Sequence, residues 1–420
     1  MNPQLRRLGA MLAAALLFAA ALPAASAPSQ TAWTASWAAA PQRYGEPAPV
    51  PNLAPAPPAS LDDASLRQRL LPTLDGRQVR VRFSNLFGSE PLHIDAASLA
   101  RSGDGAQVDG DTLRRLHFDG HDEVSIAPGA EAWSDPVVFA LRAGQAVSVS
   151  LHVERPTPFA TVHQLAPGAS WRVPGDAVLQ PAWPSAEPSA WNHIVTGLDA
   201  VSPGAPARVV VAFGDSITEG AGLSADPGRP QRYPERLAAR LGRTGGRFAV
   251  INAGISGNRL LADWVGPKGV DRFQRDALGQ SGVTHVVVLI GINDIGFSLP
   301  EGASGGPVEG QPSAAELIAG LQRISEEAHA RGVKVLLGTL LPFKGAATWN
   351  REKEHRRQLV NRWIRGRRMV DGLIDFDAAL RDPKHPQALR PMFDSGDHLH
   401  PGETGTAAMA NVVDLQLLLK

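Results

Sequence analysis

The chain has 420 residues, 43% of them hydrophobic, enough to build one large domain or two ordinary ones. Its 41 basic and 41 acidic residues cancel and form no block of one sign, so no nucleic-acid partner is expected. With no cysteine, the chain has no disulfide, no thiol nucleophile and no zinc–cysteine site.

Taken in chain order, Arg6 and Arg7 precede an apolar run from Leu8 to Leu22, then Pro23 and the small residues Ala24 to Ala27. This is the layout of a signal peptide over residues 1–27, which implies export to the periplasm or beyond. The run falls short of the roughly 20 apolar residues that span a bilayer, so no stable membrane anchor is expected. Residues 28–59 carry one short strand around Trp33 to Trp37, and then "PQRYGEPAPVPNLAPAPPAS", too proline-dense for a helix or a central strand. Beyond it, "RQVRVRFSNLF" and "QAVSVSLHV" alternate apolar and polar residues between turn signals, which predicts a β-sandwich domain over 60–185. Trp33, Trp37, Trp133 and Trp171 are candidates for its core.

Proline- and serine-rich stretches make 186–206 a candidate linker. From 207 to 420 the pattern becomes apolar strands alternating with helices. Strands are predicted at Val209–Phe213, Phe248–Asn252, His285–Ile290, Val333–Gly338 and Leu373–Phe376, and helices at Tyr233–Leu241, Ala314–Ala330, Glu352–Arg365 and Glu403–Leu418. Such alternation predicts an α/β domain with a parallel sheet covered on both faces, whose ligands bind beyond the carboxyl ends of the strands.

"VVAFGDSITEG" puts Ser216 just past the first of these strands, where it can serve either as an exposed nucleophile or as a helix cap. A serine nucleophile needs a base and a group to orient that base; in "FDSGDHLHPGETG", Asp397 and His400 lie three apart, so one helical turn would face them the same way. Acyl transfer also needs donors for a developing oxyanion. Gly254 in "INAGISGN" and Asn293 in "IGINDIG" follow other predicted strands and can supply a backbone N–H and a side-chain amide, beside the N–H of Ser216 itself. Asp215 is expected to brace the loop, Glu219 to cap or solvate the helix start, and Asp294 to support Asn293.

The four segments "FGDSITEG", "NAGISGNRLL", "GINDIG" and "DHLHP" resemble the signature blocks of the SGNH, or GDSL, hydrolase superfamily. The stretches "RFQRDAL", "EEAHARGVKV" and "LIDFDAALRDP" are similar to those between the blocks in a bacterial secreted esterase branch with an amino-terminal β-rich domain. The resemblance implies a flavodoxin-like three-layer α/β/α sheet over 207–420, with Ser216 as nucleophile, Gly254 and Asn293 as oxyanion donors, and Asp397 with His400 completing the triad. It implies hydrolysis of short-chain acyl, aryl or acetylated-carbohydrate esters, on small-molecule or polysaccharide substrates, without a metal or other cofactor.

Rival readings use some of the same residues. Gly302–Gly306 matches G-x-S-x-G around Ser304, but in a loop with no adjoining strand, where that motif has no nucleophile elbow. Asp394, Asp397, His398 and His400 could instead hold a divalent ion in a metal-dependent hydrolase, leaving the other blocks unexplained. A non-catalytic exported carbohydrate-binding protein, using the sandwich tryptophans, is the third reading. His163, His285 and His355 have no partner at useful spacing and are expected to be structural.

Overall fold

Five strands, Arg208–Gly214, Phe248–Gly254, Val283–Leu289, Lys334–Gly338 and Gly372–Ile374, form an all-parallel sheet in the spatial order second, first, third, fourth, fifth. In this computed structural model the described residues are 33–45, 59–164, 170–189, 191–202, 204, 207–223, 231–297, 312–366 and 370–419. The leader at 1–27 and Ser304 lie outside them. The central strands read as unbroken Val, Ile, Leu and Ala because both their faces are buried, as parallel sheets require. Helices Tyr233–Gly242, Ala314–His329, Arg351–Arg365 and Glu403–Val412 supply Leu237, Leu241, Leu321, Ile324, Val360, Ile364 and Met409 to the same core. The order is the flavodoxin-like one, with its switch point beside the first strand.

Two expected elements differ. The helix expected over Glu403–Leu418 stops at Val412; Val413 is extended, and the Asp414 carboxylate accepts the Gln416 N–H at 2.9 Å to start a separate turn, Gln416–Leu419. The last strand ends at Ile374 because Asp375 caps a short helix, Phe376–Leu380, by accepting the Ala378 N–H.

The amino-terminal half is a β-sandwich. One sheet runs Thr34–Ala38, Val195–Val201, Gly76–Ser84, Glu131–Trp133, with Val137–Leu141 also on Gly76–Ser84. The facing sheet is built around Ala64–Leu70, Val147–Val153 and Ala96–Arg101. Val79, Val81, Phe83 and Leu198 meet Leu66, Leu99, Val149 and Leu151 in one core. The second face of Val147–Val153 is buried as well, under a layer in which fully buried Arg67 donates to Ser150 Oγ and to the Gln180 and Ala106 carbonyls, with its guanidinium 3.9 Å from the Trp183 ring centre.

The stretch expected as a linker, 186–206, contains the strand Val195–Val201, which lies between two others in the first sheet. Asp199 in this strand is buried against Arg80 at 2.7 Å and accepts the Ser281 hydroxyl at 2.7 Å. Trp33, Trp37, Trp133 and Trp171 are only partly buried; Trp183 and Trp191 are the buried ones. Arg80 is pinned between Trp33 and Trp133, with ring-centre distances of 4.7 and 4.1 Å.

The sandwich also closes the edge of the parallel sheet. Thr73 Oγ1 accepts the Val250 N–H at 3.0 Å and donates to the Val250 carbonyl, while Ala35, Ala38 and Leu74 join the α/β core. Residues Ala32–Lys420 therefore make one compact unit. Among the described residues, no helix is long and apolar enough to cross a membrane.

Candidate active site

The first parallel strand ends at Gly214, where a Cβ would lie 2.1 Å from Thr218 Oγ1 and 2.5 Å from the Leu289 carbonyl, so only glycine permits the turn. Asp215 caps the short helix Ser216–Glu219 by accepting the Ile217 N–H at 3.0 Å. That leaves the Ser216 hydroxyl outside the cap, with Oγ 2.8 Å from His400 Nε2. His400 Nδ1 lies 2.5 Å from Asp397 Oδ2, and Asp397 Oδ1 accepts the N–H groups of Leu399 and His400 at 2.9 and 2.8 Å. The carboxylate thus holds the proton on Nδ1 and leaves Nε2 to take one from serine.

Asp397 and His400 do not share a helical turn as expected. They sit in a loop with left-handed backbone at Gly396 (φ 110°) and His398 (φ 64°), closed by Asp394 accepting the Gly396 and His398 N–H groups. Partial burial pushes the Asp397 carboxyl up, but the His400 hydrogen bond and charge with the two backbone N–H groups outweigh it and leave it well below the usual carboxylate range.

Gly254 does not fill its expected place. Its strand runs two residues beyond Asn252, so Gly254 pairs with Gly214 in the sheet, and its N–H is spent on Asn252 Oδ1 at 3.0 Å. A Cβ there would lie 2.4 Å from the Glu219 nitrogen, so this glycine serves the close approach of the Ser216 helix. The turn that follows contains Gly257 (φ 75°), whose N–H meets no acceptor among the described residues. Asn293 is buried, and its amide donates to the Asn258 carbonyl at 2.9 Å, which leaves a second amide hydrogen.

Asp294 accepts the Leu260 and Leu261 N–H groups at 2.7 and 2.9 Å, fixing the chain after this turn rather than Asn293 directly. Burial raises the carboxyls of Asp215 and Asp294 to about 7 and about 6, against the hydrogen bonds each accepts. Sequence reasoning missed Arg272, fully buried and donating to the Gly214 carbonyl at 2.7 Å, the Ala253 carbonyl at 2.9 Å and Asn258 Oδ1 at 2.9 Å. It ties together the ends of two strands and the turn between them. An arginine inside an apolar helical stretch, "VDRFQRDAL", was the available signal.

The cluster proposed as metal ligands separates into two pairs. His398 Nδ1 is 2.6 Å from Asp394 Oδ2, whereas His400 is engaged by Asp397 and Ser216. Among the described residues, no group of three or more His, Asp or Glu side chains is arranged to hold a metal ion.

Ser216, His400 and Asp397 thus lie in line at the carboxyl end of the first parallel strand, beside the switch point of the sheet. Residues 212–408 match the GDSL-like Lipase/Acylhydrolase family, so this part of the chain is a domain of the SGNH/GDSL carboxylic ester hydrolase type. Solved structures similar to about half of the chain include a GDSL-like lipase from Bacteroides thetaiotaomicron (19% identity, 50% of this chain and 88% of that one, TM-score 0.35). An acetyl xylan esterase variant from Geobacillus stearothermophilus (21%, 51% and 95%, TM-score 0.37) is another. So is an alpha/beta hydrolase enzyme from the metagenome of Lake Arreo, Spain (24%, 51% and 95%, TM-score 0.37). No curated protein matches the chain.

Proposed function

We propose that the chain is an exported serine esterase that works through a Ser216–His400–Asp397 triad and an acyl-enzyme. The observation that carries this reading is the line of contacts at 2.8 and 2.5 Å from Ser216 Oγ through His400 to Asp397. Ser216 Oγ attacks the ester carbonyl carbon while His400 Nε2 takes its proton. Collapse of the tetrahedral intermediate expels the alcohol oxygen, which leaves with that proton. Water then attacks the acyl-enzyme, giving a proton to Nε2; the acid is released and the proton returns to Ser216.

The oxyanion donors in this reading are the N–H of Ser216, the free amide hydrogen of Asn293 and the N–H of Gly257, which takes the place first given to Gly254. Ser216 opens its helix, so its N–H has no intrahelical acceptor. Substrates are carboxylic esters with short acyl groups on small aryl or carbohydrate alcohols. Export rests on the leader at residues 1–27, and amino-terminal sequencing of the secreted protein tests it.

The direct test of function is hydrolysis of an acyl-length series of p-nitrophenyl esters beside acetylated xylan. The account expects turnover that falls by about 10⁴-fold or more in Ser216→Ala. Wild-type turnover in that variant contradicts it.

A further inference from the structure

The strand Thr161–His163 lies in the amino-terminal half, in a small antiparallel sheet with Gln42–Arg43 and Asn192–His193. The His163 ring is 8% exposed; its Nδ1 is 2.8 Å from the Ala40 carbonyl and its Nε2 is 2.9 Å from Glu219 Oε1. A carbonyl only accepts, so Nδ1 carries a proton, and the Glu219 carboxylate faces Nε2 at ion-pair distance. Glu219 ends the Ser216 helix, is itself 3% exposed, and accepts the Ser256 N–H through Oε2. Ser256 directly precedes Gly257, and the Asn258 carbonyl anchors the Asn293 amide. The same contact is packed around: Ala40 clusters with Ile255 and Val265, and Arg275 donates to the Pro41 carbonyl at 3.2 Å.

We propose that His163 is a positioning residue for ester hydrolysis, supplied by the β-rich half: by pairing with Glu219 it holds the turn Ile255–Asn258 against the Ser216 helix. The proposal rests on the triad reading above. Without the imidazole, the buried Glu219 loses its ion-pair partner, and its side chain either stays poorly solvated or swings toward water. Either response weakens its hold on the Ser256 N–H and shifts the donors around Gly257 and Asn293. A displacement near 1 Å in such a site costs about 10²-fold in rate.

The experiment measures kcat and KM on p-nitrophenyl acetate for His163→Ala, Glu219→Ala, Glu219→Gln and the double variant His163→Ala/Glu219→Ala. Ser216→Ala serves as the separate control for the triad, so the two readings can fail independently. Both single alanine variants are expected to lose about 10- to 100-fold in kcat with KM within about 3-fold of wild type. The double variant should be no worse than the poorer single, because the two residues act as one unit. Glu219→Gln keeps an acceptor for the Ser256 N–H and should recover part of the loss seen with alanine. Wild-type kcat in the alanine variants, multiplying losses in the double variant, or glutamine no better than alanine would overturn the proposal. If His163→Ala does not fold, the contrast between Glu219→Ala and Glu219→Gln decides alone.

Discussion

Asp215 takes the capping bond at Ile217, and the Ser216 oxygen turns to His400 instead. The segments "GDSITEG" and "DHLHP" point to Ser216, Asp397 and His400 as candidates, and the fold brings these three side chains into line at 2.8 and 2.5 Å. "INAGISGN" is ambiguous because it holds two glycines, and which of them lies in the turn depends on where the strand stops, a boundary that an apolar run does not mark. Two outcomes belong to this scale. Asn293→Ala should lower kcat by about 10²- to 10³-fold with the fold intact, as removal of one oxyanion donor does. Asp397→Asn should lower kcat by about 10⁴-fold, because His400 loses the anion that sets its tautomer. Steady-state kinetics beside circular dichroism checks both.

The elements around the site are held by groups that no periodicity reveals. The strand Phe248–Gly254 and the helix Ser216–Glu219 touch backbone to backbone at Gly254, so Gly254→Ala should cost about 1–3 kcal/mol by overpacking, read as a lowered urea midpoint. Arg272 bridges two strand ends and pairs with buried Asp276 at 3.2 Å. Its own guanidinium is lowered to about 10 by burial, which the neighbouring Asp276 opposes. Arg272→Met leaves the Gly214 and Ala253 carbonyls without their donor, while Asp276 keeps its pair with Arg275 at 2.6 Å, and should destabilise by about 1–3 kcal/mol for each acceptor left bare. The helices and strands with long apolar runs were legible to within a few residues. The short helices at Ile292–Gly296 and Phe376–Leu380 were not, since one or two turns leave no periodic signal.

At the scale of the molecule, the β-rich half and the α/β half form one compact unit. It caps the edge strand through Thr73, fills the α/β core with Ala35, Ala38 and Leu74, and reaches the nucleophile helix through His163. Composition suggested two domains and a linker because proline and serine concentrate near residue 185, yet the chain there crosses back into the sandwich sheet. Residues 207–420 expressed alone should therefore be poorly soluble and inactive beside the full chain, measured by sedimentation and esterase assay.

Acid sensitivity is also a property of this body. His193, stacked 4.2 Å from the Phe159 ring, is lowered by burial to about 3. The unfolded chain binds its proton first, so its contribution is present above about pH 6.5 and is lost as pH falls toward 3. His193→Phe should flatten the stability slope in that window by up to about 1.4 kcal/mol per pH unit, read from urea titrations.

Ser216 is the proposed nucleophile. Labelling the purified protein with an organophosphate ester and locating the adduct by peptide mass spectrometry tests it most directly. The adduct is predicted on Ser216, with loss of esterase activity in step and no labelling of Ser216→Ala. An adduct on Ser304, or full inhibition with Ser216 unmodified, would contradict the account.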